Sequence, residues 1–396
     1  MAEWLKTALI DIVELIGGGT PKTSKAEYWG GNINWLSVKD FNNENRYVYS
    51  TEKTITEEGL NNSSTKLLKK DDIIISARGT VGELAMIPFP MAFNQSCYGI
   101  RAKEGIDSIF LYYLIKNSVR KLKAITHGSV FDTITRDTFA NIEVAIPDIK
   151  TQHRIAKMLA DIDDKVENNQ RINNNLEQQA STLFSNVLQR STSVFYVELG
   201  ALADVKGGKR LPKGISLITV PNQHPYIRVR DLNNTVFASL SNDYEYIDDV
   251  TQKSISRYIV TTGDVLISIV GTIGLTAIVD HTLNKANLTE NCVKLTNLKK
   301  VTPEYLLLFL RSSQGIEAIR KGTVGAVQLK LPIKNIQSIA VPLLRDEELL
   351  PLNETLSAIF SQISANIVEM KQLADIRNTL LPRLMSGELD VSEIDL

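Results

Sequence analysis

The sequence predicts an α+β chain. Two similar α/β domains alternate with two long helices, and the helices pair antiparallel as a coiled coil about a pseudo-twofold axis. Three observations carry this: residues 151–188 hold side chains at the 3.5-residue spacing of a coiled-coil seam, residues 349–384 hold a second such set, and the segments ahead of each helix carry the same motifs in the same order.

The first helix reads Ile155, Leu159, Ile162, Val166, Asn169, Asn173, Leu176, Ala180, Leu183 and Val187 along one narrow stripe, with no Pro or Gly between 151 and 188. At about 1.5 Å per residue it would be roughly 55 Å long, so its seam needs a partner helix. Leu349, Leu356, Ile363, Met370 and Leu384 supply one, in sevens or multiples of seven, with Arg377 in the same register. Leu352, Ile359, Leu373 and Leu380 follow three or four residues away, with Phe360, Ile367 and Leu381 on the next row. That wider stripe is expected where a helix also packs on a domain. Asn169 and Asn173 near the middle of the first helix either fix the register of the pair as buried amides or are simply solvated.

Residues 1–150 and 195–343 are two copies of one unit. Asp72-Ile73-Ile74-Ile75-Ser76 followed by Gly79-Thr80-Val81-Gly82 answers Asp264-Val265-Leu266-Ile267-Ser268 followed by Gly271-Thr272-Ile273-Gly274. Asn94-Gln95-Ser96-Cys97 answers Thr289-Glu290-Asn291-Cys292 more loosely, Phe110–Leu114 answers Tyr305–Phe309, Gly128-Ser129-Val130 answers Gly322-Thr323-Val324, and Ile146-Pro147 answers Val341-Pro342. Two equal domain–helix units satisfy both seams most simply through a twofold axis, which makes the helices antiparallel. Within each copy, short β-rich runs (Ile33–Val38, Asp72–Ser76, Leu84–Ile87; Tyr226–Val229, Asp264–Ile269, Leu275–Val279) precede one helix. That helix is expected over Ser108–Leu122 and over Pro303–Arg320, the latter opened by Thr302 as N-cap and Pro303 at the first helical position. The implied boundaries are 1–149 for the first domain, 150–190 for the first helix, 191–344 for the second domain, 345–387 for the second helix and 388–396 for a tail.

Composition narrows the function classes. At 396 residues, 43% hydrophobic and 22% charged, the chain has the balance of ordinary globular domains. It shows no apolar run long enough to span a membrane and no charged-then-apolar leader, so a cytoplasmic protein without membrane contact is expected. The two cysteines, Cys97 and Cys292, build neither a disulfide framework nor a metal site and are expected as small buried hydrophobes. The net charge is −1, but the second domain is net basic and the C-terminal helix with its tail net acidic, which suggests that one surface meets an anion and another avoids it.

Catalytic signatures are missing. Gly207-Gly208-Lys209-Arg210 lacks the spacing and the Ser/Thr of a P-loop, Gly17-Gly18-Gly19 lacks the dinucleotide pattern, and none of His127, His153, His224 and His281 pairs at metal-ligand spacing. A nuclease-type cluster would need Asp148 with the distant Glu369 and Lys371, all at or on the long helices, and no Asn/Asp-Pro-Pro-aromatic run for amino methylation is present. The chain is expected not to be an enzyme and to hold no metal and no cofactor.

What both copies share is basic and polar side chains on Gly-rich turns. Lys22, Lys39, Arg78, Lys123, His127, Ser129 and Arg136 are the candidates in the first copy. Lys209, Arg210, Lys213, Arg228, Arg230, Arg320, Lys321, Thr323 and Lys330 are those in the second, with Lys209–Lys213 and Arg228–Arg230 clustered at one mouth. Lys and Arg neutralise phosphates, while Arg, Asn, Gln and Ser/Thr read base edges. Two such domains on a stiff rod fit double-stranded DNA read at two half-sites roughly 35 Å apart.

Further motifs join the domain–helix order. Gly18-Gly19-Thr20-Pro21 is followed by Tyr28-Trp29-Gly30-Gly31-Asn32-Ile33-Asn34-Trp35, and each copy has its Gly-Thr-aliphatic-Gly turn. Pro147 runs through Gln152-His153-Arg154-Ile155-Ala156 into the first long helix, and Leu380 to Leu389 close the second. With these residues the chain resembles the specificity (S) subunits of type I restriction–modification systems, over nearly its whole length. The second copy departs from the pattern, with Gly207-Gly208-Lys209-Arg210-Leu211-Pro212 in place of the Gly-Thr-Pro turn and Tyr226-Ile227-Arg228 in place of the Asn-Trp strand. The resemblance implies two target-recognition domains, each reading half of a bipartite DNA site. It implies helices that set the gap and dock two methyltransferase (M) subunits, with restriction/motor (R) subunits as further partners in a prokaryotic cytoplasm. S-adenosylmethionine, ATP and Mg would then belong to the partner subunits. The alternative reading is a bivalent coiled-coil scaffold that binds protein or glycan without DNA specificity.

Overall fold

A computed structural model of the chain describes residues 4–41, 45–126, 133–233, 235–325, 328–392 and 394, with all their side chains except those of 120–126. The fold divides into two units, Met1–Gln170 with Val368–Leu396, and Arg171–Ile367. Two long helices, Ile149–Arg190 and Asp346–Met385, each contribute one part to each unit.

In the first unit the opening strand Leu5–Ala8 pairs antiparallel with the closing strand Glu143–Ile146, so the domain begins and ends at one place. Between them lies a four-stranded sheet in the order Val13–Gly17, Cys97–Ala102, Ile73–Ser76, Leu84–Met86. A second four-stranded sheet follows the order Lys53–Ile55, Trp29–Leu36, Met91–Phe93, Leu67–Leu68. The run Ile73-Ile74-Ile75 shows why a strand with no polar face forms here. Alternate residues of a strand point to opposite faces. Ile73 and Ile75 enter the core that holds Phe110, Tyr113, Ile155, Leu159 and Leu384, while Ile74 enters a second core with Leu36, Phe93 and Cys97. The helix Ser108–Thr126 closes the first of these cores with Phe110, Leu111, Tyr112, Tyr113 and Ile115.

The second unit repeats the plan. Phe195–Glu198 pairs antiparallel with Ala340–Leu343, and a five-stranded sheet runs Asp204–Gly207, Cys292–Thr296, Val265–Ser268, Thr276–Val279, Phe237–Ala238. Val265 and Ile267 enter the core that takes Tyr305, Phe309, Phe184, Leu356 and Phe360, and Leu266 enters a second one with Ile227, Leu288 and Cys292. The helix predicted over Pro303–Arg320 is two helices, Pro303–Arg311 and Ser313–Gly322. Thr302 caps the first as expected. At Ser312 the chain leaves the helix: its hydroxyl donates to Phe309 O at 2.6 Å and accepts from Gly315 N at 3.1 Å, capping the next one. Gly315 then lies so close to Phe309 O that a Cβ there would collide.

Within each unit the parts of the long helices run antiparallel. In the first, Asp163 meets Arg377 and, further along, Asn169 meets Glu369. In the second, Asn173 meets Asn366 and Ser191 meets Glu348. Of the seam positions, Ile155, Leu159, Leu356, Ile363 and Leu384 are buried, whereas Ile162, Val166, Leu176, Leu183, Met370 and Leu373 are only half-buried. Ala180 and Phe184 are buried beside them, together with a run of polar side chains: Asp163, Glu167, Asn169, Asn173, Asn366 and Arg377. Both asparagines are thus buried amides rather than solvated ones, Asn169 donating to Glu369 Oε2 at 2.7 Å and Asn173 accepting from Asn366 Nδ2 at 2.7 Å.

No helix among the described residues is long and apolar enough to cross a membrane. Cys97 and Cys292 are free and buried, and burial pushes both thiols up to about 12.

Candidate nucleic-acid interface

Each unit presents a tight turn built the same way. Ser76 Oγ donates to Thr80 O at 2.5 Å and accepts from Glu83 N at 2.8 Å; Ser268 Oγ donates to Thr272 O at 2.6 Å and accepts from Leu275 N at 2.8 Å. Gly79 and Gly82, like Gly271 and Gly274, take positive φ, which a side chain would oppose. Arg78, Gly79 and Thr80 at one tip, and Gly271 and Thr272 at the other, are exposed.

A second shared feature is a backbone frame beside that turn, and its bonds align the two copies residue by residue. Gly19 N bonds Phe93 O at 3.0 Å where Lys209 N bonds Leu288 O at 2.8 Å, and Asn94 N bonds Leu36 O where Thr289 N bonds Ile227 O. Trp35 Nε1 donates to Gly19 O at 3.1 Å, and in the same place Tyr226 Oη donates to Lys209 O at 2.8 Å. Ser37 N bonds Asp40 Oδ2 at 2.7 Å, as Arg228 N bonds Asp231 Oδ2 at 2.7 Å. The strand Trp35-Leu36 pairs parallel with Ala92-Phe93, and Tyr226-Ile227 with Asn287-Leu288. These bonds make Thr20 the counterpart of Arg210, Ser37 of Arg228, Lys39 of Arg230 and Gln95 of Glu290.

On that common frame the side chains differ. In the first unit the Thr20 hydroxyl donates to Gln95 Oε1, and Lys39 lies 4.0 Å from Glu52, both exposed. In the second, Arg210 Nε donates to Glu290 Oε1 at 2.7 Å, Arg228 Nη1 pairs with Glu245, and Arg230 Nε pairs with Asp231 at 3.3 Å. The bond that Arg210 donates to Glu290 raises the pKa of its guanidinium above the ordinary value. On Glu290, burial works to raise the carboxyl, but the bonds from Arg210, the backbone and Thr289 outweigh it and hold the group below its ordinary value. Burial raises Asp231 against the pull of the Arg228 backbone N–H and the neighbouring guanidiniums. Beside this frame the second unit has a cleft with a volume of about 380 Å³, with Arg210, Arg228, Arg230 and Glu290 in its wall. Arg228 Nε and Nη2 are buried there without a hydrogen-bond partner.

Two copies of one scaffold, with charged and polar side chains varied over a constant backbone, are what a pair of recognition domains requires. The family described as type I restriction modification DNA specificity domain matches the chain twice, over residues 1–178 and 194–378. This chain belongs to that specificity family. The type I restriction enzyme MjaIX specificity subunit of Methanocaldococcus jannaschii is 27% identical to it over 418 residues, covering 99% of this chain and 95% of that one. The EcoR124I/EcoR124II specificity subunit of Escherichia coli is 33% identical over 169 residues, 41% of each. The crystal structure of the type I restriction–modification S subunit from M. genitalium shares the fold with a TM-score of 0.59 at 17% identity, over 97% of this chain and 96% of that one.

In this specificity-family chain the structure gathers only some of the predicted site residues. Arg210, Arg228 and Arg230 line one cleft, with Lys209 beside it, its ammonium 5.6 Å from the Tyr258 ring. Lys213 is exposed on the loop that follows. Thr323 and Lys330 flank the other feature: Lys330 bridges both Val324 and Val270, next to the Gly271–Gly274 turn. Arg320 and Lys321 are exposed but engaged with Glu317, Arg320 through two bonds of 2.7 Å. In the first unit Lys22, Lys39 and Arg78 are exposed, and Arg136 donates to Leu15 O at 3.2 Å. His127 and Ser129 lie outside the described residues, and so does the side chain of Lys123.

The carboxylates were missed. Glu245, Glu290 and Asp231 sit among the arginines, and a census of basic residues passes over them. The match of Asn94-Gln95-Ser96 to Thr289-Glu290-Asn291 held the signal, since it sets Gln95 opposite Glu290. Asp148 is structural, because its carboxylate accepts from Lys150 N, Thr151 N and Thr151 Oγ1 at the start of the long helix, and the Thr151 bonds hold it below its ordinary value. Glu369 is bonded to Asn169 and lies 3.5 Å from Lys165. No cluster of three or more His, Cys, Asp or Glu able to hold a metal ion occurs among the described residues.

Proposed function

We propose that the chain acts as the DNA-specificity subunit of a type I restriction–modification assembly, each domain reading one half of a bipartite double-stranded site. The reading is carried by one hydrogen-bond frame built twice with different side chains. A duplicated scaffold keeps the approach to the duplex constant, and the variable side chains let the halves differ. Exposed cations such as Lys22, Arg78, Lys209 and Lys213 would neutralise phosphates and fix orientation, leaving sequence to the varied side chains on the two frames. The long helices would set the gap and dock two methyltransferase subunits. Catalysis, with S-adenosylmethionine, ATP and Mg, would then fall to the methyltransferase and motor partners.

The test is exchange of residues 1–145 for the same domain of a relative, followed by mapping of adenine methylation in cells carrying the partner subunits. One half of the methylated site should change and the other stay as it was. Change in both halves together would end the idea of independent reading. Affinity of the purified chain for DNA should also fall steeply between about 50 and 200 mM salt, since several phosphate contacts are expected. A salt-insensitive partner would favour the scaffold reading.

A further inference from the structure

Resting on that reading, we infer that the pair Thr20–Gln95 in the first unit and its counterpart Arg210–Glu290 in the second are the base-reading groups at one shared position, the first accepting an A·T pair and the second a G·C pair. Gly19 and Lys209, Trp35 and Tyr226, and Asp40 and Asp231 make the same bonds in both copies, so the two pairs are carried on the same backbone. What changes is chemistry.

Gln presents an acceptor and a donor side by side, the pattern that matches N6 and N7 of adenine, and the methyl group of a Thr suits the methyl of thymine. Arg presents a fork of donors that matches O6 and N7 of guanine, and Glu accepts from N4 of cytosine. Arg210 beside Glu290 therefore offers both halves of a G·C edge. Arg210 uses only Nε on Glu290, through a bond of 2.7 Å, so the fork nitrogens stay available. Arg228 lines the same cleft with its Nη1 on Glu245, but its Nε and Nη2 are closed off from solvent, so this guanidinium would have to turn before meeting a base acceptor. The same fork binds a phosphate, which is the competing source of acceptors. One observation favours a base: Glu290 and Glu245 stand within bonding distance of these guanidiniums, where they would repel a phosphate and cancel the charge that a phosphate contact uses.

The experiment uses the full chain, selected against random-sequence duplexes, with the double variant Arg210→Thr, Glu290→Gln and the reciprocal Thr20→Arg, Gln95→Glu. The first domain already carries the Thr–Gln pair on this frame and the Arg210 side chain is exposed, so the first variant is expected to fold, checked by its thermal transition. Wild type should enrich a two-part motif. In the first variant one G·C position of one half should become A·T, with a change in preference of about tenfold to a hundredfold, and the other half should stay unchanged. The reciprocal variant should turn an A·T position into G·C in the opposite half. Arg210→Lys, which keeps the charge and loses the fork, should weaken the G·C preference without altering the salt dependence. A two-part motif that survives the first variant intact overturns the inference and leaves the proposed function standing. So does a uniform loss of affinity with a shallower salt dependence, the mark of a phosphate contact. If wild type enriches no motif, the proposed function fails and takes this inference with it.

Discussion

The two units pack their domains on the long helices through apolar cores and differ in what is added to them. In the first, Tyr113 from the helix Ser108–Thr126 donates to Asp163 Oδ2 at 2.6 Å, and Asp163 Oδ1 holds Arg377 Nη1 at 2.7 Å. Arg46, itself buried, reaches Asp164 Oδ1 at 2.6 Å and Ala160 O at 3.3 Å. In the second unit rings meet at the junction: Phe184 stands 4.9 Å from Tyr305, edge to face, and Phe360 lies 6.3 Å from Phe237, with Asn353 Nδ2 on Lys300 O at 3.0 Å and Ser357 Oγ on Glu304 at 3.2 Å as polar contacts. Burying ions costs desolvation that their attraction only partly returns, whereas apolar contact gains with area. The difference teaches that a junction can be made directional or merely sticky on the same fold, and that the first unit took the directional form.

The largest expected effect comes from halving the ionic junction. Asp163→Ala should cost about 3–5 kcal/mol in urea unfolding, because it leaves Arg377 buried and Tyr113 without its acceptor. A loss below about 1 kcal/mol would mean that water already solvates the site. Phe360→Ala should cost about 3 kcal/mol by opening a cavity in the second unit, with no dependence on salt. Ser76→Ala and Ser268→Ala sharpen the comparison from the other side. Each strips the same two turn bonds, so each should cost about 1–3 kcal/mol and the two values should agree closely. Unequal losses would show that the turns are alike only in geometry. The smallest change should follow from replacing the ions outright: Asp163→Leu with Tyr113→Phe and Arg377→Met should lie within about 1 kcal/mol of wild type, since apolar groups of similar volume can stand in for a buried ion pair.

Much of this was legible because it is local or repeated. The Gly79–Gly82 and Gly271–Gly274 turns, the Thr302–Pro303 helix start and the order of domains and helices all follow from short patterns, most of which appear twice. The polar side of the helix pair was only half legible. Asn169, Asn173 and Arg377 stood in the expected register, but Asp163 and Glu167 look like solvent-facing residues until the second long helix, some 200 residues distant in sequence, is placed beside them. Ser312 carried a warning of the helix break, since serine favours caps over helix interiors, but a lone serine in an apolar-periodic stretch is outweighed until its cap on Gly315 N and the close seat of Gly315 against Phe309 O are seen. The cleft was read as a basic mouth because its carboxylates come from three separate stretches of chain.

The hydrogen-bonded pairing of each domain's first and last strands has one more consequence. Because Leu5–Ala8 lies against Glu143–Ile146, and Phe195–Glu198 against Ala340–Leu343, the backbone enters and leaves each domain through a single doorway. Residues inserted or deleted anywhere inside are absorbed before the chain comes out again. Loop lengths can therefore drift freely between relatives while the helices beyond keep their phase.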